Sequence, residues 1–90
     1  MEDLKEIAMK IYKAIFENKR DLNIEDDTIK IQKFSRGIKY VDFSGYRFIE
    51  QNRQKKSKWG KLAREGHNIM WIIKGRKYIS QIMDGNYKTL

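Results

Sequence analysis

The chain has ninety residues without cysteine or proline, and its length fits a single domain, residues 1–90, with one modest core. The formal net charge of +8 is uneven, because residues 1–27 hold five Lys/Arg and eight Asp/Glu whereas residues 28–90 hold fifteen and four. These features exclude a disulfide framework and a thiolate zinc site, and they predict an electropositive face if the fold keeps the acidic N-terminal part away from it.

The N-terminal segment has the pattern of an amphipathic helix. Asp3 and Glu6 have capping-box spacing, and apolar residues then recur every three or four positions, at Leu4, Ile7, Ala8, Ile11 and Ile15. This stripe predicts a helix that runs to about Asn18 and packs on a sheet.

The middle of the chain predicts an antiparallel meander. Residues 18–27 are polar and acidic, so we expect a connecting loop there. Three segments with strand patterning follow, separated by the turn residues Ser35-Arg36-Gly37 and Ser44-Gly45: 28–34, 38–43 and 46–50. Connections this short require antiparallel strands.

The last forty residues predict a short helix and a hairpin. Residues 51–56 lack apolar side chains and read as a loop, after which Ser57 caps a helix over about 58–65 that Gly66 ends. Residues 68–74 and 77–83 flank Gly75-Arg76 as a hairpin, and Tyr87 starts a short last strand after Asp84-Gly85. The predicted fold is therefore a small α+β domain, in the order α-β-β-β-α-β-β, with the long N-terminal helix on an antiparallel sheet.

Two basic segments predict contacts with phosphates. Residues 51–66 hold six cations and one acid, and the hairpin tip at 74–77 adds a second set. Such clusters attract polyanions. The predicted nucleic-acid-binding residues are Arg53, Lys55, Lys56, Lys58, Trp59, Lys61, Arg64, Lys74, Arg76 and Lys77.

Aromatic residues are interleaved with these cations, and a sheet that exposes some of them could stack unpaired bases. The aromatic positions are Tyr40, Phe43, Tyr46, Phe48, Trp59, Trp71, Tyr78 and Tyr87. The alternative is that most of them fill the core of this short chain. Trp59 is the best stacking candidate, although it could instead anchor its own helix.

The first five predicted elements have the order α-β-β-β-α. Lys55-Lys56-Ser57-Lys58 opens the second helix, and Lys61 and Ala63 follow. This arrangement resembles a double-stranded RNA-binding domain. In that family a Lys-Lys-x-x-Lys-type helix start grips phosphates across the RNA major groove. The resemblance implies the same role for the lysines here.

A second resemblance concerns the single histidine. The residues from Arg64 to Ile69 lead from a helix through Gly66 and His67 into a strand, and Gly75 then turns a hairpin. This resembles the Gly-x-His strand entry of small toxin ribonucleases of the HicA type, which implies an acid/base role for His67. A general base also needs partners, which the sequence does not place.

Our prediction is a non-enzymatic nucleic-acid-binding protein, with RNA slightly favoured over DNA and with neither cofactor nor metal. A protein-interaction module or a homodimer is the alternative, and the HicA-like ribonuclease comes after it. The longest apolar run, residues 69–73, is far short of the ~20 residues that cross a bilayer, so we expect no membrane association. The absence of cysteine agrees with a reducing environment, so we expect a cytoplasmic location. The Lys, Glu and Ile content is compatible with a thermophilic source, and equally with an AT-rich genome.

Overall fold

The computed structural model describes residues 3–90, which form an α+β fold of two helices and two antiparallel sheets. This confirms the predicted fold class. In chain order the elements are α1 (Leu4–Lys13, continued by a π-helical segment Ala14–Asn18), β1 (Leu22–Ile24), β2 (Asp27–Ile29), β3 (Gln32–Lys33), β4 (Lys39–Phe43), β5 (Tyr46–Glu50), α2 (Lys58–Arg64), β6 (Ile69–Lys74), β7 (Lys77–Met83) and β8 (Asn86–Thr89).

The main sheet is a meander in which each strand pairs with the next along the chain, in the order β3-β4-β5-β6-β7-β8. Tight turns set this order. Ser44 and Gly45 take φ angles of 53° and 82°, and Asp84 and Gly85 take 50° and 85°, as two-residue hairpin loops with left-handed residues require. The predicted turns and the antiparallel pairing are therefore confirmed.

Helix α1 covers one face of the main sheet, which we call the inner face. The Asp3 carboxylate accepts a hydrogen bond from the Glu6 N–H at 2.9 Å and so caps the helix start, as predicted. The predicted apolar stripe packs on alternate residues of the central strands. Its core contains Ile7, Ala8, Ile11, Tyr12 and Ile15 from the helix and Val41, Phe48, Met70, Ile72 and Ile82 from the sheet.

Two predictions in the first half of the chain are wrong. Residues 18–27 are not a loop throughout, because β1 pairs with β2 in a small separate hairpin that buries Ile24 in the core. The predicted strand 28–34 is divided between that hairpin, which includes Thr28 and Ile29, and the main sheet, which it enters only at Gln32–Lys33. The main sheet consequently starts with a two-residue edge strand.

Candidate nucleic-acid interface

The loop of residues 51–57 is held against helix α2. Ser57 Oγ accepts a hydrogen bond from the Gly60 N–H at 3.2 Å and caps the helix. Arg64 Nη1 donates to the backbone oxygens of Arg53 and Lys55, at 2.5 and 2.8 Å. Gly60 is buried where the loop crosses the helix, and a Cβ there would collide with the Lys55 carbonyl. The loop therefore has a defined path, which requires glycine at 60 and a donor at 64 that reaches two carbonyls.

All six predicted cations of this segment are exposed: Arg53, Lys55, Lys56, Lys58, Lys61 and Arg64. Within residues 3–90 no carboxylate lies at ion-pairing distance from any of them. The Lys58 ammonium lies 5.2 Å from the centre of the Trp59 ring, a cation–π distance. The segment keeps its positive charge uncompensated, with Arg64 committed in part to the loop backbone.

The hairpin tip forms a separate basic set. Lys74, Arg76 and Lys77 are exposed at the end of β6 farthest from α2, roughly 16 Å along the strand at about 3.3 Å per residue. The Lys74 ammonium lies 5.4 Å from the centre of the Tyr46 ring, which packs against the core on the inner face. The structure therefore does not merge the two predicted cation sets into one cluster.

We call the face of the main sheet opposite α1 the outer face. A row of aromatic rings runs along it from α2 towards the hairpin tip. Trp59 of α2 meets Trp71 of β6 edge-on with ring centres 5.2 Å apart, and Trp71 meets Tyr78 of β7 in the same way at 5.6 Å. Gln51 accepts a hydrogen bond from the Trp71 indole N–H at 2.7 Å, which fixes the middle ring. Tyr78, next to the hairpin tip, is 54% exposed.

A second aromatic pair lies on the same face, towards the β3 edge. Phe34 stacks on Tyr40 with ring centres 4.3 Å apart and an interplanar angle of 20°, and Phe34 is 38% exposed. The Arg47 guanidinium lies 4.7 Å from the centre of Tyr40 while it holds Asp42 through hydrogen bonds of 2.7 and 3.0 Å. Those bonds to Asp42 raise the pKa of Arg47, which stays charged over the ring.

Phe34 of the pair and all three rings of the row line one groove. Tyr40, Ile49 and Trp71 are direct neighbours across β4, β5 and β6, so Ile49 separates the pair from the row. The groove encloses about 560 Å³, and it is lined by Phe34, Ile38, Ile49, Glu50, Gln51, Asn52, Lys55, Ser57, Trp59, Trp71 and Tyr78. We call this space the aromatic groove. It joins flat apolar rings to the edge of the basic loop.

Sequence reasoning missed Phe34 and Arg47 in this site. The sequence predicts Phe34 as the last residue of a strand. In the structure it lies beyond the end of β3 and stacks on Tyr40. Of the aromatic residues named from sequence, Tyr46 and Tyr87 pack against the core and Phe48 lies within it. The signal that separates the two groups is strand parity, which follows once register is known.

The acidic N-terminal part lies on the inner side of the sheet. Helix α1 covers the inner face, and Glu25 in the β1–β2 turn lines a depression with Leu4, Phe43 and Phe48 of that side. Helix α1 and the Glu25 turn of the acidic segment therefore lie on the side of the sheet opposite the aromatic groove.

The histidine has a carboxylate partner. Asp84 Oδ2 lies 2.6 Å from His67 Nδ1, and Oδ1 accepts a hydrogen bond from the Asn68 N–H at 2.9 Å. The hydrogen bond with His67, followed by that from Asn68, lowers the pKa of Asp84. His67 does not line the aromatic groove. The pair orients the imidazole at the start of β6.

No protein family, curated protein or solved structure matches this chain. In the part of the chain that the structure describes, no group of three or more His, Cys, Asp or Glu residues is placed to hold a metal ion. No helix among residues 3–90 is long and apolar enough to cross a membrane.

Proposed function

We propose that the protein binds single-stranded nucleic acid on the aromatic groove and catalyses no reaction. The observation that supports this proposal is a groove that combines aromatic rings with a cation outside any ion pair. Phe34 lies on one side, Trp59, Trp71 and Tyr78 lie on the other, and Lys55 lies at the edge. Phe34 and Tyr78 are exposed, and the two tryptophans are partly exposed. Bases of any sequence have flat π faces, and stacking on an aromatic side chain contributes roughly 1–3 kcal/mol per base. A paired duplex hides those faces inside its own stack.

The cations supply the sequence-independent part of the affinity. Arg53, Lys55, Lys56, Lys58 and Lys61 are exposed around α2 at one end of the Trp59–Trp71–Tyr78 row, and Arg76 and Lys77 are exposed at the other. A strand that follows the row would meet positive charge at both ends, and each neutralised phosphate would release counterions. In this arrangement Arg64 positions the loop.

RNA is the proposed target in preference to DNA, because sequence-specific and structural RNA recognition is directed largely at unpaired loops, bulges and ends. The cytoplasm, expected from the cysteine-free sequence, stays part of the proposal.

The test is binding to labelled single-stranded RNA, single-stranded DNA and duplex DNA of about 12 nucleotides per strand, a length near the site sizes of such proteins. We expect the single strands to bind at least about tenfold more tightly than the duplex, and log Kd to change with log salt with a slope of about 3 to 6. A flat salt dependence without strand preference would contradict the proposal and favour a protein partner or a homodimer.

Substitution separates stacking from charge. Phe34→Ala and Tyr78→Ala should each weaken single-strand binding by about 5- to 100-fold, the range that corresponds to one lost stack. The matched control is Leu90→Ala, because Leu90 is 58% exposed and lies outside the aromatic groove. If the wild type cleaves RNA and His67→Ala does not, the proposal of binding without catalysis is wrong and the ribonuclease reading replaces it.

A further inference from the structure

A second concavity lies on the inner side of the sheet, at the end where β4 begins and β5 ends. It encloses about 450 Å³ between the end of the π-helical segment, the β3–β4 turn and the loop after β5. Four cations line it: Lys19, Arg36, Lys39 and Arg53. We call it the basic pocket. Only Arg53 among these was predicted from sequence to contact a ligand.

The four cations come from three separate segments of the chain. Lys19 follows the helix with a left-handed φ of 54°, which turns the chain away from the helix axis. Arg36 lies in the turn before β4, and Lys39 starts that strand with its backbone N–H bonded to Glu50 Oε1 at 2.8 Å. Convergence of cations that are distant in sequence explains why counting charge along the chain did not reveal the pocket.

The charge in the basic pocket is positive, because four cations and one carboxylate line it. Glu50 is the acid in its lining within the described residues, and one of its oxygens already accepts from the Lys39 backbone. None of the four cations forms an ion pair across residues 3–90. An adjoining depression that Lys19 and Lys39 also line adds two cations, Arg20 and Lys33, and one acid, Asp21. An anion would relieve the mutual repulsion of these groups.

The carbonyl oxygens at the helix end would oppose an anion placed against them, because this end of a helix carries partial negative charge. The favourable position is therefore between the β3–β4 turn and the loop after β5, where Arg36 and Arg53 line the pocket. Both are guanidinium groups, which match phosphate oxygens with two parallel donors.

The basic pocket and the aromatic groove are adjacent. Ile38, Glu50, Gln51 and Asn52 line both, so the two spaces meet across the end of β5. A strand that lies in the aromatic groove and continues past Gln51 and Asn52 would enter the basic pocket next. We propose that the basic pocket binds a phosphate group of the nucleic-acid strand whose bases occupy the aromatic groove, an inference that rests on the proposed function.

The phosphate has two sources, a chain terminus or the backbone, and the experiment distinguishes them. Single-stranded RNA with a 5′-phosphate, a 3′-phosphate or hydroxyls at both ends is titrated into the wild type and into the double variant Arg36→Gln/Arg53→Gln. Both arginines are exposed, and the Arg53 carbonyl that Arg64 binds is unaffected by the change of side chain. The control is Lys5→Gln/Lys13→Gln, which removes two exposed cations from α1.

If the pocket binds a terminal phosphate, one of the phosphorylated strands should bind the wild type about three- to tenfold more tightly than the hydroxyl strand. The double variant should abolish this difference. A backbone phosphate predicts that the double variant weakens all three strands by about five- to fiftyfold and lowers the salt slope by about 1 to 2. In either case the control variant should stay within about twofold of the wild type.

Two results overturn the inference, and they are distinguishable. If the wild type binds all three strands equally and the double variant matches the control, the basic pocket plays no part and the proposed function stands. If the wild type binds none of the strands, the proposed function fails and the inference fails with it. The single variant Lys39→Gln, whose backbone bond to Glu50 remains, gives an independent check in the same pocket.

Discussion

Arg64 Nη1 lies 2.8 Å from the backbone carbonyl oxygen of Lys55 and so ties helix α2 to the loop that precedes it. The same nitrogen also reaches the Arg53 carbonyl. The sequence predicts a phosphate contact for Arg64, whereas the geometry gives it a positioning role, in which the shape of the guanidinium matters as well as its charge.

Arg64→Lys distinguishes these roles because it keeps the charge and removes the nitrogen Nη1 that meets both carbonyls. We expect both Arg64→Lys and Arg64→Ala to lower the free energy of unfolding by about 1 kcal/mol. Alanine removes the charged donor, and the shorter lysine side chain does not place its ammonium where Nη1 meets both carbonyls. Urea unfolding measures this change. Single-strand affinity that is fully retained in Arg64→Lys, together with unchanged stability, would contradict the positioning role.

Gly60→Ala should destabilise the protein, although alanine is the better helix former by about 1 kcal/mol. A Cβ at this position would collide with the Lys55 carbonyl, so the loop must move away from α2. We expect a loss of about 1–3 kcal/mol in thermal or urea unfolding. Lys61→Ala, at the next and exposed helix position, is the matched control and should change stability by less than about 0.5 kcal/mol. A more stable Gly60→Ala protein would show that the loop is not docked there.

The limits of sequence reasoning are visible in this segment. The Ser57 cap and the extent of α2 follow from local chemistry, whereas the close approach of the Lys55 carbonyl to Gly60 depends on how the loop folds back. The β1–β2 hairpin was missed because its turn has φ angles of 50° and 67° at Glu25 and Asp26, where the usual signal would be Asn-Gly or Asp-Gly.

The candidate site was harder to predict than the fold. Alternation in the sequence locates the strands, but which aromatic residues face solvent depends on register and on the face that α1 covers. Trp71 and Met70 are adjacent in an apolar run, yet one lies in the aromatic groove and the other in the core. The basic pocket depends on contacts between distant segments, which a linear pattern does not encode.

We expect a substitution at Gln81 to stabilise the protein. Its side chain is 4% exposed, and Nε2 has no hydrogen-bond partner within residues 3–90. Burying an unpaired amide is costly, so Gln81→Met should raise the free energy of unfolding by about 1 kcal/mol. Gln81→Glu, which is nearly the same size, should lower it because a carboxylate is harder still to bury. A Gln81→Met protein that is less stable than the wild type would show that the amide has a partner.

We expect the contribution of Asp84 to the stability of the fold to be lost in acid. The hydrogen bonds from His67 and the Asn68 N–H lower its pKa from 3.8 in the folded state, so the fold favours the carboxylate. The resulting stabilisation is present above the unfolded pKa and is lost as the pH falls through the lower folded pKa. Asp84→Asn suits the left-handed backbone at this position, where φ is 50°.

We therefore expect Asp84→Asn to be less stable than the wild type at about pH 6, with a difference that shrinks below about pH 4. Urea unfolding across this range gives the comparison. In a His67→Ala background, which lacks the main hydrogen-bond partner, the pH-dependent part of the difference should be smaller. A difference that is constant from neutral to acid pH would show that the pair does not favour the carboxylate.

The most direct test of the aromatic groove uses the protein's own fluorescence. Both tryptophans of the chain, Trp59 and Trp71, line the groove, so a stacked base should quench most of the signal. We predict that unlabelled single-stranded RNA quenches the emission saturably, that duplex of equal charge does not, and that Tyr78→Ala weakens the effect. Binding of single-stranded RNA that leaves the tryptophan emission unchanged would contradict the account, because the strand would then lie elsewhere on the protein.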